Sequence, residues 1–200
     1  MTTDKKKHEQ DVIRQLRSRL KEDPVALEHC REYDTDPDFI DTVPIRFEPL
    51  DVSAKTVNGE VILNSHLLEG DPRDSMRYLV HEFVHCLQQE NGKVDGSSRD
   101  QDYLDDPNEM EAFQAQLDYM DGPYSGKERD EYVERLLDHH GLEGKDREKK
   151  KEELLAADGE EFVKAAASLE EETQSYIDGL LRHAEARGRE RKRKLRDLLS

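Results

Sequence analysis

Apolar positions along this chain change their period near residue 43, and that change separates two kinds of predicted element. Between residues 5 and 34, Val12, Ile13, Leu16 and Leu20 recur near helical spacing among charges, which predicts helix. Asp23-Pro24 reads as the cap and first position of a second short helix. This segment is expected to pack on the rest; the alternative is a pro-segment covering a site. From Val43 the runs VPIRFEPLD, DVSAKTV and EVILN are rich in strand formers and predict strands at about 44–49, 52–57 and 60–64. Asn58-Gly59 separates the last two. An Asn-Gly pair there predicts a hairpin, because a type I′ turn needs positive φ at both central residues.

Helical period returns at Asp71, which can cap a helix with Pro72 in its first turn and Asp74 at the positive end of its dipole. Met76, Leu79, Val80, Phe83 and Leu87 make its apolar face, and Asn91-Gly92 closes it near residue 90. A polar loop leads to Pro107 and a helix whose Met110, Phe113, Leu117 and Met120 share one face, ended by Gly122-Pro123. Further helices are expected at about 127–140, about 145–157 and from 159 onward. The pattern predicts an α+β protein in three parts: an N-terminal helical segment (1–42), a core (43–140) and a charged helical C-terminal extension (141–200).

Composition narrows the classes. Charged residues make up 40% of the 200 and hydrophobic ones 34%, too few for a core along the whole length, so part of the helical chain is expected to be solvated. The net charge of −17 argues against binding nucleic acid or an anionic membrane through the overall field. The basic run at 183–197 is the only hint of the former, and a solvated helix or contact with the acidic 100–138 stretch competes with it. No apolar run approaches the roughly 18 residues that span a bilayer, and no apolar segment follows the basic start as in a secretory signal. A cytoplasmic location is the default expectation. Two cysteines cannot build a disulfide framework or a four-Cys cage. Cys86 reads as a small core residue, and Cys30 as either that or a thiolate blocking a latent metal site.

The chemistry is concentrated in His81-Glu82-Phe83-Val84-His85, an HExxH motif inside the predicted 72–90 helix. Residues four apart lie on one helical face, so two imidazoles can converge on one ion while Glu82 projects beside them. Chance would supply about 0.04 such motifs in a chain with this His and Glu content, and the helical context sharpens the signal. Catalytic zinc usually takes three protein ligands, so one more is required. Gln88 and Asn91 stand where HExxHxxGxxH would need Gly and His, which excludes that arrangement. Downstream, Asn108-Glu109-Met110-Glu111-Ala112 opens the next helix with an Asn-Glu-x-x-Ala pattern.

With that pattern the chain resembles the gluzincins, zinc peptidases whose third ligand is a Glu on a helix following HExxH. The resemblance covers about residues 43–121 and is closest to the minimal members of that group. It implies a zincin-like core, a Zn2+ cofactor held by His81, His85 and Glu109, and a peptide or protein substrate. Glu109 is preferred to Glu111 because the two lie about 200° apart around a helix, so only one can face the metal. Glu109 also shares a stripe with Ala112 and Gln116, and a small Ala permits close helix approach. The implied reaction is hydrolysis of a peptide bond by zinc-activated water, with Glu82 as general base and then acid. The resemblance assigns substrate binding to a sheet edge, expected at EVILN. It also asks for an oxyanion donor; among Tyr103, Tyr119, Tyr124, His66, His139 and His140, Tyr103 is favoured for its place just before the ligand helix. The competing reading is a zinc-binding but catalytically latent domain that acts as an interaction or regulatory module through its helical extension.

Overall fold

The computed structural model describes residues 3–93 and 103–156. The chain divides after Ala156, and Met1–Ala156 is the unit that carries every described element. The helices expected from 159 onward and the basic 183–197 run lie outside the described residues.

Helices α1 (Thr3–Glu22), α2 (Pro24–Glu32) and the short α3 (Phe39–Thr42) precede three strands, β1 (Ile45–Glu48), β2 (Ala54–Val57) and β3 (Glu60–Asn64). Helices α4 (Pro72–Glu90), α5 (Pro107–Asp121), α6 (Gly126–His139) and α7 (Gly144–Ala156) follow. The protein is therefore α+β, mostly helical with one small mixed sheet. Three helices begin the same way. Asp23, Asp71 and Asp106 each accept a backbone N–H of the first turn, and each is followed by a proline at the position where no N–H is needed. Asp23 holds two such donors, Val25 N at 3.1 Å and Ala26 N at 3.0 Å. Asp23→Ala is expected to cost about 0.5–2 kcal/mol, read as a lowered midpoint in thermal unfolding.

The hairpin forms as its turn residues require. Asn58 and Gly59 have φ of 52° and 74°, and β2 runs antiparallel to β3 with Ala54 opposite Leu63 and Val57 opposite Glu60. β1 joins the other side of β3 in parallel, Ile45 opposite Val61, so the strand order is β1-β3-β2. β3 is thus central and covered on both faces; Val61, Ile62 and Leu63 are all buried.

Two apolar clusters flank α5. The first joins Leu16 and Leu20 of α1, Val25, Ala26 and Cys30 of α2, the sheet, and Met76, Leu79, Val80, Phe83 and Leu87 of α4. The N-terminal helices are accordingly structural walls of the core. The second joins Phe113, Leu117 and Met120 of α5 to Val133, Leu136 and Leu137 of α6 and Leu154 of α7. α7 begins the charged part of the sequence, yet Leu154 is fully buried, which ties this helix into the same unit as the core. Ala112 and Ala115, also without exposure, face the first cluster and let α5 lie close along α4. The two helices meet where His81 and His85 leave α4 and Glu109 leaves the first turn of α5.

Candidate metal centre

α4 places His81 and His85 on one face, and α5 brings Glu109 across to them. His81 Nε2 lies 3.2 Å from His85 Nε2, and Glu109 Oε2 lies 3.6 Å and 3.4 Å from the two nitrogens. These three atoms form the triangle expected from the motif spacing. A tetrahedral zinc ion with bonds of about 2.0–2.2 Å separates its donors by roughly 3.3–3.6 Å. The triangle has that size.

Its electrostatics also fit an ion. His81, Glu82 and His85 are only 5–6% exposed. Glu109 Oε2 and His81 Nδ1 have no hydrogen-bond partner among the described residues; the carboxylate contacts at 3.4 and 3.6 Å are charge contacts only. Burial by itself would raise the Glu109 pKa, but His81 and His85 outweigh it and hold the carboxyl well below the usual range. Burial conversely lowers His85, and Glu109 overrides it to push the imidazole up to about 9. Two imidazole nitrogens and a carboxylate oxygen, packed with little solvent and incompletely satisfied by one another, match the donor set zinc takes.

Glu82 stands beside this triangle. Its pKa is raised chiefly by burial, with Glu109 adding to that and the two histidines and Thr56 opposing it. The Thr56 hydroxyl on β2 lies 2.9 Å from both the Glu82 carbonyl and Glu82 Oε2, so its single proton can go to either. Edge-strand β2 therefore touches the glutamate directly. The expectation that EVILN forms the sheet edge at the site is corrected: β3 is the central strand, enclosed by β1 and β2, and the open edge beside α4 is β2.

Glu111 goes elsewhere, as its angle around α5 requires. It accepts Tyr33 Oη at 2.6 Å, Gln88 Nε2 at 3.0 Å and Lys93 Nζ at 3.0 Å. His29, Glu32 and Glu111 also bring ligand atoms within 4.8 Å of one another, but Lys93 already supplies the positive charge at Glu111. Of the oxyanion candidates, Tyr103 comes closest to the triangle. Burial and then the Glu109 carboxylate raise its phenol pKa strongly, which keeps it a donor. Its ring stacks on His140 at 5.1 Å and meets Phe113 at 6.1 Å, while Phe113 packs edge-on against His81 at 4.7 Å. Tyr124 donates to Asp74 instead, and His66 and His139 are exposed. Tyr119 packs between the two apolar clusters, away from the ligands. Cys30 and Cys86 are buried in the first cluster.

Thr56 and Gln88 are site neighbours that motif reading passes over, whereas His140, one of the oxyanion candidates, lies stacked on Tyr103. Gln88 had one local signal, its position three residues after His85 on the same helical face. Thr56 had none, since only the fold brings it in. Among the described residues, no helix is long and apolar enough to cross a membrane. Comparison with family models, with curated proteins and with solved structures finds no match to this chain.

Proposed function

We propose that the protein is a zinc-dependent peptidase with a zincin-like core, its ion held by His81, His85 and Glu109. One observation carries this reading: the three donor atoms converge at 3.2–3.6 Å in a buried site, with the Glu82 carboxylate next to them. Zinc, when bound, supplies Lewis acidity, which polarises a carbonyl and lowers the pKa of water.

The chain's own residues do the rest. Glu82, made more basic by burial, takes the proton of the attacking water and delivers it to the departing amine. Thr56 holds the Glu82 carboxylate in place. Tyr103, kept protonated, donates toward the oxygen that gains charge on the scissile carbonyl. A peptide adds to the open edge of β2 as a further strand. Val52, just before that strand, and Val57, its last residue, are 45% and 42% exposed and offer apolar contacts to substrate side chains.

The test is zinc content by elemental analysis of protein purified without added metal. About one zinc per chain is expected. Glu109→Ala is expected to lower zinc affinity by more than the roughly 100-fold typical of losing an outer-shell partner. A parent protein that takes up no zinc would overturn the proposal.

A further inference from the structure

We infer that Gln88, gripped by Glu111, is a positioning residue that holds His85 in its Nδ1–H tautomer and so sets how tightly the centre takes its ion. The inference rests on the zinc reading above and extends it to residues outside the ligand set.

Gln88 is 1% exposed, and a buried amide is costly unless every polar atom is paired. Its Nε2 lies 3.0 Å from Asn108 O and 3.0 Å from Glu111 Oε2. A carbonyl and a carboxylate only accept, so the amide nitrogen must face them and Oε1 must point the other way. That oxygen lies 2.8 Å from His85 Nδ1. An amide oxygen only accepts, so Nδ1 carries the proton and the lone pair of the neutral ring sits on Nε2. Nε2 is the atom that faces His81 and Glu109. Ring orientation and the proton on Nδ1 are thus settled before any ion arrives, and Nε2 is the nitrogen that gives up its proton to one.

Glu111 is anchored in turn by two further side chains. Tyr33, just after α2, donates to Oε1, and Lys93, just after α4, donates to Oε2 and also contacts Tyr33 Oη at 2.5 Å. The grip on His85 therefore runs back to the end of α2, one of the helices that wall the core. His81 differs: its Nδ1 has no partner among the described residues. A Leu at position 88 would fill the same space without burying an amide, so packing does not account for Gln there. The contacts of its amide do.

Zinc affinity of the full chain, measured by competition with a chromophoric chelator, tests this together with 15N NMR of the metal-free His85 ring at a pH where that ring is neutral. Gln88→Leu is expected to weaken zinc binding about 10- to 100-fold and to leave His85 a mixture of tautomers. Glu111→Gln should weaken it less. The double variant Gln88→Leu/Glu111→Gln should be no weaker than Gln88→Leu, because Glu111 acts through Gln88. Parent-like zinc affinity in Gln88→Leu, or full additivity in the double variant, overturns the inference. Should the parent bind no zinc, the zinc reading falls while the NMR still decides: an unchanged His85 tautomer in Gln88→Leu overturns the positioning role, and a shift to a mixture upholds it.

Discussion

Glu82→Gln is expected to lower the turnover of peptide hydrolysis by about 10²–10⁴-fold while leaving zinc content at the parent level. The two effects separate because Glu82 is not a corner of the ligand triangle, which is His81, His85 and Glu109. Gln matches Glu in shape, and its amide oxygen can still accept from Thr56, so the side chain keeps its place beside β2. What it loses is the ability to take a proton. A loss confined to kcat, with KM near that of the parent, is the signature of an interaction made in the transition state only. Single-turnover cleavage of a general peptide substrate by both forms, beside elemental analysis of each, measures both quantities. Equal cleavage by the two forms would remove Glu82 from the reaction. A parent that holds zinc but cleaves nothing would favour a latent or interaction domain that keeps the ion.

The features legible in the sequence were those set by near neighbours in the chain. The I′ turn at Asn58-Gly59 follows from two residues that tolerate positive φ, and the Asp-Pro starts of α2, α4 and α5 follow from capping chemistry that spans three positions. The choice of Glu109 over Glu111 needed only the pitch of one helix, and Glu109 does lie at the two histidines while Glu111 turns to Tyr33 and Lys93. Features that failed, or were invisible, depend on contacts between distant segments. β3 was expected at a sheet edge, yet β1 pairs with it across an intervening strand, and no turn signal announces a parallel partner. One clue was present: Val61-Ile62-Leu63 is a continuous apolar run, the pattern of a strand covered on both faces. Thr56 reaches Glu82 across 26 residues of sequence, and Gln88, though beside His85 on α4, is oriented by Asn108 20 residues on, so their roles appear only once α4 is docked on β2 and α5.

Phe83→Ala is the second large effect, and it bears on the fold while sparing the ligands. Phe83 lies between Glu82 and His85 in the chain, but its side chain belongs to the first apolar cluster, fully buried, with its ring 6.2 Å from that of Phe39. Removing a buried Phe side chain costs about 3–5 kcal/mol, a large share of the roughly 5–15 kcal/mol that holds a domain folded. At about 2–4 °C per kcal/mol for a domain of this size, the unfolding midpoint should fall by roughly 6–20 °C. Zinc acts on the same equilibrium from the opposite face of α4. An ion that binds only the folded chain stabilises it by about 4 kcal/mol at a thousand times its dissociation constant. Saturating zinc should therefore offset most of the loss, and Phe83→Ala should melt near the metal-free parent when zinc is present and far below it with chelator. Leu137→Ala in the second cluster, away from the ligands, should show the same rescue, since the linkage depends on the folded state and not on where the cavity lies. A variant that lost stability and could not be rescued by zinc would mean that the Phe83 cavity lets α4 relax enough to open the His81–His85 pair, tying the core and the centre together more tightly than two faces of one helix imply.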